Sequence, residues 1–325
     1  MKQFLATFAL IFFTILFYWA TLLITPNDIE EEYFRIKRGE SAGSIARRLA
    51  QADIICSEKI FYYYTRLTNS AGQLSYGLYK FDGKINITDV LEKIKQGKVQ
   101  LKKITIPEGM SIAKTITKLT EKNFGSRDNF MKLSYDSDFI KQLTGFNLTS
   151  LEGFLYPETY YFPETATEEY VLKTMVEMYF SQTKELDFIS YYNLDYYQII
   201  TLASIVEMEA RIQDEKPLIA SVYLNRLEVG MKLQADPTVS YILAQKGKKR
   251  KKIYYKDLKI ESPYNTYLYE GLPPTPICSP SKSAIEAVLK PTNSDYFFFF
   301  ASGGGKHSFS QTYSQHLSKQ KVINN

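Results

Sequence analysis

From Phe4 to Ile24 the chain reads "FLATFALIFFTILFYWATLLI", without a single charge. As a helix rising about 1.5 Å per residue, such a stretch covers roughly 30 Å, the thickness of a bilayer's hydrocarbon core. A cleavable signal peptide has a shorter apolar core and a small-residue cleavage site, and neither is visible. No cysteine stands near its end, which argues against a lipoprotein. Tyr18 and Trp19 fit an interfacial belt, Lys2 precedes the span and "TPNDIEEEY" follows it, so the positive side is N-terminal. The span therefore reads as a signal anchor: one pass through the cytoplasmic (inner) membrane, with the C-terminal remainder outside the cytoplasm.

With 325 residues, the chain has room beyond the anchor for a core and more than one domain. A composition of 45% hydrophobic and 15% aromatic residues excludes a disordered chain. Its 26 Tyr and 21 Phe suit a polymer groove, although plain core is the commoner use of such rings. A net charge of +5 suits an acidic surface or polymer without requiring one, and export disfavours nucleic acid. Cys56 and Cys278 fall in different expected domains and read as separate free thiols, although an exported protein could join them. Two histidines are too few for a His-based metal site and the cysteines lack ligand spacing, so neither metal nor cofactor is expected.

After the anchor comes an internal repeat. "FRIKRGESAGSIARRL" (34–49) and "ITIPEGMSIAKTITKL" (104–119) align without gaps. Each reads as a strand, a Gly turn, a Ser N-cap and an amphipathic helix. "GESAG" (39–43) matches the G-x-S-x-G elbow of serine hydrolases. The second copy keeps Gly109 and Ser111 but has Ala113 for the last Gly, and a cap is expected twice where a nucleophile is not. Ser41 is thus read as a cap. "DVLEKIKQGKVQ" (89–100) reads as a helix ending at Gly97, and 125–150 as a weakly patterned connection. Beyond Leu151, "LEGFLYPETYYFP" is aromatic and turn-rich, and "TEEYVLKTMVEMYFSQT" (167–183) is helical.

"YQIITLASIVEMEARI" (197–212) reads as a helix whose apolar face is Ile199, Leu202, Ala203, Val206 and Ala210. Glu207 and Glu209 flank that face on opposite sides, and periodicity does not choose between them. A carboxyl in an apolar setting has its pKa raised and can serve as a general acid. The plainer alternative is two boundary acids paired with Lys or Arg. Loops rich in rings and amides follow, among them "LQADPT" (233–238) and "SPYNTY" (262–267), in which Gln234, Tyr264, Asn265 and Tyr267 could bind and stack on a sugar polymer. A Pro-rich bend, "GLPPTPI" (271–277), and an apolar strand opening into a Gly loop, "FFFFASGGGKHSFSQT" (297–312), complete the set. An acid, amides and rings with no metal cluster suggest glycosidic cleavage.

"LEGFLYPETY", "ASIVEMEA", "YLNRL", "GMKLQADPTVSY", "SPYNTYLYEGLPPTPI" and "KPTNSDYFFFFASGGGKHSFSQT" together resemble the endolytic murein transglycosylase (YceG-like) family, in order and across nearly all of the exported chain. The resemblance implies an α+β fold: an anchor (1–27), a LysM-like membrane-proximal module (28–124) and a mixed α+β catalytic domain (125–325). It implies a lyase that cleaves the MurNAc–GlcNAc β-1,4 bond in nascent peptidoglycan glycan strands, leaves 1,6-anhydro-MurNAc ends and terminates strand elongation. Glu209 would be the catalytic acid, Glu207 structural, and Gln234, Tyr264, Asn265, Tyr267 and His307 would bind substrate. Asp236 is an electrostatic helper or a turn cap before Pro237. The family implies work beside penicillin-binding protein synthases. A hydrolytic muramidase and a non-catalytic glycan-binding scaffold are the rival readings. The basic run Lys246 to Lys252 departs from the family motifs and reads as a solvated loop, with anionic lipid or pyrophosphate contact as the alternative.

Overall fold

The computed structural model describes residues 2–189, 192–248 and 252–324. Its contacts divide the chain into two units, Met1–Lys103 with Tyr161–Ala166, and Ile104–Tyr160 with Thr167–Asn325.

In the first unit, α1 (Lys2–Ile24) is long and apolar enough to cross a membrane, and its Phe4–Ile24 stretch has its side chains exposed. Only its distal end packs: Trp19, Leu22 and Leu23 lie against the unit's core. β1 (Asn27–Ile36), α2 (Ala42–Gln51), α3 (Glu58–Leu67) and β2 (Gly77–Ile85) follow, and β1 pairs antiparallel with β2 from Asn27↔Ile85 to Ile36↔Gly77. Phe34, Ile45, Leu49, Phe61, Tyr79 and Phe81 fill the core between ribbon and helices. α4 (Ile87–Lys95) closes the unit through a capping box built by Asn86 and Asp89, and Gly97 turns the chain out with φ +61°.

The second repeat copy runs through β3 (Leu101–Thr105), α5 (Ile112–Glu121) and α6 (Arg127–Ser134). The likeness goes further than the aligned text. Asp53 and Asn123 both turn the chain at positive φ (53° and 59°), which short polar side chains tolerate. The next amides, of Ile54 and Phe124, return to the carbonyls of Leu49 and Leu119 at 3.0 and 3.1 Å. Ser57 and Ser126 then cap α3 and α6. At the first helix the copies differ. The Ser41 hydroxyl accepts from Ser44 N at 3.3 Å, as a cap does, whereas Ser111 makes no side-chain cap bond and Glu152 Oε1 accepts from Ile112 N at 2.9 Å.

That carboxylate helps to explain where the units divide. The expected boundary at 124/125 is displaced to Lys103/Ile104, because the second copy is built into the second unit. Gly109 N donates to Ser279 O at 3.1 Å and Ser279 N to Met110 O at 3.0 Å, joining its turn to the Pro-rich segment. The region 125–150 is not an unstructured connection: it holds α6 and α7 (Ser137–Thr144), and β4 (Thr159–Pro163) pairs with β3.

The second unit continues with α8 (Glu168–Thr183) and α9 (Tyr196–Glu209), then α10 (Lys216–Glu228), α11 (Asp236–Gln245) and α12 (Lys282–Leu289). Every residue of α9 from Ile199 to Val206 is buried. A helix apolar on all sides is a core helix, and α10, α11 and α12 pack around this one. The hairpin β5 (Phe298–Gly303) and β6 (Lys306–Ser310) and the terminal α13 (Tyr313–Asn324) complete the unit. Cys56 is exposed, Cys278 is buried, and both are free.

Candidate functional site

α9 ends at Glu209: Ala210 is extended (φ −73°, ψ 123°), so Ala210 is not part of the apolar helical face. The two acids of the last turn therefore stand at the rim of a buried helix and face different neighbours.

Glu207 is ion-paired. Lys216 Nζ lies 3.1 Å from both of its oxygens, and its Oε2 accepts from Ser281 N at 2.9 Å, at the start of α12. Lys216 is only 4% exposed and also donates to the hydroxyls of Ser281 and Ser283 at 2.9 and 3.0 Å. A cation so enclosed needs its anion, and the N-terminal end of α12 favours one as well.

Glu209 has no such cation within ion-pairing distance among the described residues. Its Oε1 accepts the Tyr223 hydroxyl at 2.8 Å. Burial pushes its carboxyl up to about 7; the Asp236 charge pushes the same way, while the Tyr223 hydrogen bond and the Arg226 charge oppose it. A helix C-terminus also disfavours a carboxylate. Near neutral pH, then, Glu209 is poised to give a proton and to take one back.

α10 carries the surrounding groups on one face, three residues apart. The Tyr223 ring meets Phe299 edge-on at 5.7 Å between centroids, and burial raises its hydroxyl pKa well above the ordinary value. Arg226 donates to Phe297 O at 2.7 Å and Leu233 O at 2.6 Å, so its fork ties β5 and the 233–236 loop to α10. Asn225 adds two bonds to the segment before β5, donating to Ser294 O and Tyr296 O at 2.7 and 2.9 Å. The "YLNRL" text is thus a clamp that holds the site's two loops.

The residues singled out in the sequence divide into two sets. Asp236 and Tyr267 come together beside Glu209: the Tyr267 hydroxyl donates to Asp236 Oδ1 at 2.6 Å, and the Asp236 charge pushes the Glu209 carboxyl up. Asp236 is not a turn cap. It is the first residue of α11, and the N-cap is Ala235, which has no side-chain cap bond. Gln234 is exposed with φ +50°, and its backbone N–H donates to Thr266 O at 3.0 Å. His307 reaches the same side through Phe299, edge to ring at 5.4 Å, and Glu215 fixes its Nδ1 at 2.7 Å. Asn265 and Tyr264 stand elsewhere. Asn265 is fully buried and its amide donates to Leu258 O and Ile260 O, which makes it the bolt of its own loop and leaves it no amide hydrogen for a ligand. The Tyr264 hydroxyl meets Thr275 Oγ1 at 2.8 Å and its ring lies against Tyr241.

Three participants went unnoticed in the sequence. Tyr223 and Arg226 lie within a quoted motif at helical spacing, which was the available signal. Glu152 is an acid between apolar residues in "LEGFLY", is 2% exposed, and is raised by burial to about 7. Its Oε2 accepts the Tyr241 hydroxyl at 3.0 Å. Among the described residues no group of His, Cys, Asp and Glu could hold a metal ion. Of the basic run, Lys246, Lys248 and Lys252 are exposed, and Lys249, Arg250 and Lys251 lie outside the described residues.

Comparison with known proteins shows the relatives of the chain. The YceG-like family profile matches residues 34–322. An endolytic murein transglycosylase of Bacillus subtilis is 33% identical over 312 residues, 89% of this chain and 84% of that one. One from Streptococcus pneumoniae R6 is 29% identical over 86% of this chain but only 56% of its own length. A crystal structure of a yceG-like protein from Listeria monocytogenes superposes with a TM-score of 0.58 at 30% identity, covering 89% of this chain and 98% of that one.

Proposed function

This chain belongs to the YceG-like family, and on that premise we propose that it is an endolytic lytic transglycosylase of peptidoglycan. It cleaves the β-1,4 bond between MurNAc and GlcNAc within nascent glycan strands. The observation that carries the reading is Glu209, a half-buried acid that accepts the Tyr223 hydroxyl, has no ion-paired cation among the described residues and is pushed up to about 7 by burial of its carboxyl.

Protonated Glu209 donates to the GlcNAc O4 as the C1–O4 bond of MurNAc breaks, and an oxocarbenium-like centre develops at C1. The carboxylate then takes the proton of the muramic C6 hydroxyl as O6 bonds to C1, closing a 1,6-anhydro ring. One carboxyl serves twice because the internal hydroxyl replaces water and carries a high effective concentration. The Tyr223 hydroxyl holds the oxygen through both steps, and Asp236, fixed by Tyr267, favours the developing positive charge. Gln234, Tyr267 and His307 line the approach to the sugar, with Tyr264 and Asn265 shaping the loops. α1 anchors the enzyme in the cell membrane with its catalytic unit outside the cytoplasm, where breaking a growing strand ends its elongation beside penicillin-binding synthases.

Asp236 also favours a second reading. An exposed carboxylate beside the acid could activate water instead, making the enzyme a muramidase. Mass spectrometry of the ends released by the purified chain from glycan strands decides between them. Anhydro ends, lighter by one water, are expected; reducing ends alone would establish hydrolysis, and an absence of cleavage would overturn both.

A further inference from the structure

We propose that the glycan groove continues from Glu209 past Met208 and Pro237 into a second cavity, where Lys114, Lys118 and Arg127 seat the anionic peptide stem of the glycan. This rests on the transglycosylase reading above and extends it.

The cavity's volume, ≈ 810 Å³, falls within the range of about 300–1,000 Å³ usual for ligand sites. Its floor is Glu152 with Tyr241, and its mouth carries Lys114 and Lys118, one turn apart on α5, with Arg127 at the start of α6. A small cavity of ≈ 50 Å³ shares Ser111, Lys114, Tyr241 and Ala244 with it and reaches Met208 and Pro237. Those two residues are the chain neighbours of Glu209 and Asp236, so the small cavity starts one residue from the reacting groups and ends at the cationic mouth.

The charge there is unspent. Among the described residues none of the three cations is ion-paired; Arg127 gives one hydrogen bond, to the Thr117 hydroxyl at 2.8 Å. Two acids share the cavity and offset only part of this charge: Glu121 lines it beside Lys118, and burial pushes the Glu152 carboxyl up to about 7 against the Ile112 and Tyr241 hydrogen bonds and the Lys114 charge. Between cations and floor the lining is partly apolar, with Met110, Ala113, Tyr135 and Ala244. Neutral sugars gain little from three cations. A short peptide with carboxylates and small apolar side chains, carried on the lactyl group of muramic acid, matches both charge and lining.

The test is calorimetric binding of a disaccharide with its peptide stem, and of the same disaccharide without it, to the full-length Glu209→Gln chain in detergent. The stem is expected to tighten binding about tenfold, the sum of a few exposed charge contacts. Lys114→Ala with Lys118→Ala and Arg127→Ala should cut that preference to within about twofold, and Lys114→Glu alone should cut it by about threefold. Equal binding of the two ligands, or a full preference retained by folded charge variants, would overturn the proposal. Cleavage of peptide-free strands by the unmodified chain is read separately. If cleavage is absent while the preference persists, the enzymatic reading falls and the peptide site stands.

Discussion

Glu207 and Glu209 are two residues apart on one helical turn, yet their surroundings differ in kind. Glu207 is held by Lys216 and by the start of α12, and joins three segments of the unit. Glu209 meets a tyrosine hydroxyl, and burial of its carboxyl pushes it up to about 7. Carboxyl chemistry is the same in both; the difference is made by Lys216 on one side and the Tyr223 hydroxyl on the other. A cation at an acid makes a brace, and its replacement by a neutral donor makes an acid that can hold and return a proton.

The comparison breaks most visibly in turnover. Glu209→Gln keeps size and hydrogen bonding but loses the transferable proton, so cleavage should fall by about 10²–10⁴ while circular dichroism stays unchanged. The pH profile of the unmodified enzyme should sharpen this. A general acid works protonated, so activity should decline as pH rises through about 7, the value to which burial lifts Glu209.

Glu207→Gln should do the reverse. Removing the partner of a buried lysine typically costs about 3 kcal/mol, so denaturant unfolding should show a large loss of stability, with turnover in the surviving folded protein reduced less than by Glu209→Gln. A stable and inactive Glu207→Gln would exchange the two roles.

The smallest effect separates the repeat copies. Ser41→Ala removes a helix cap and should cost about 1 kcal/mol, leaving glycan cleavage intact. Ser111→Ala should cost almost nothing, because Glu152 and not Ser111 accepts from the first turn of α5. Equal costs at both sites would contradict the different capping of the two copies.

These contrasts also mark what could be read from the sequence. The repeat was legible because capping and turn chemistry are local: Gly39 and Gly109 take φ +77° and +73° as their turns require. The long α9 was legible as a helix, but its end at Glu209 and its burial on every side were not, since both depend on helices that arrive later in the chain. Periodicity could not choose between the two acids for the same reason. What distinguishes them, Lys216 and Tyr223, is set by how α10 folds back on α9. Asn265 looked like a sugar ligand because an amide among rings has that composition, and only the loop's own carbonyls reveal that it is already occupied. Glu152 escaped notice because a lone acid in an apolar run has no pattern to mark it.

The central claim is that Glu209 carries its proton near neutral pH, and carbon-13 NMR titration of glutamate-labelled enzyme tests it directly. Comparing the unmodified protein with Glu209→Gln, the resonance that disappears should be a carboxyl titrating at about 7. If the vanished resonance instead titrates in the ordinary carboxylate range, Glu209 is ionised at neutral pH and the assignment of the acid is wrong.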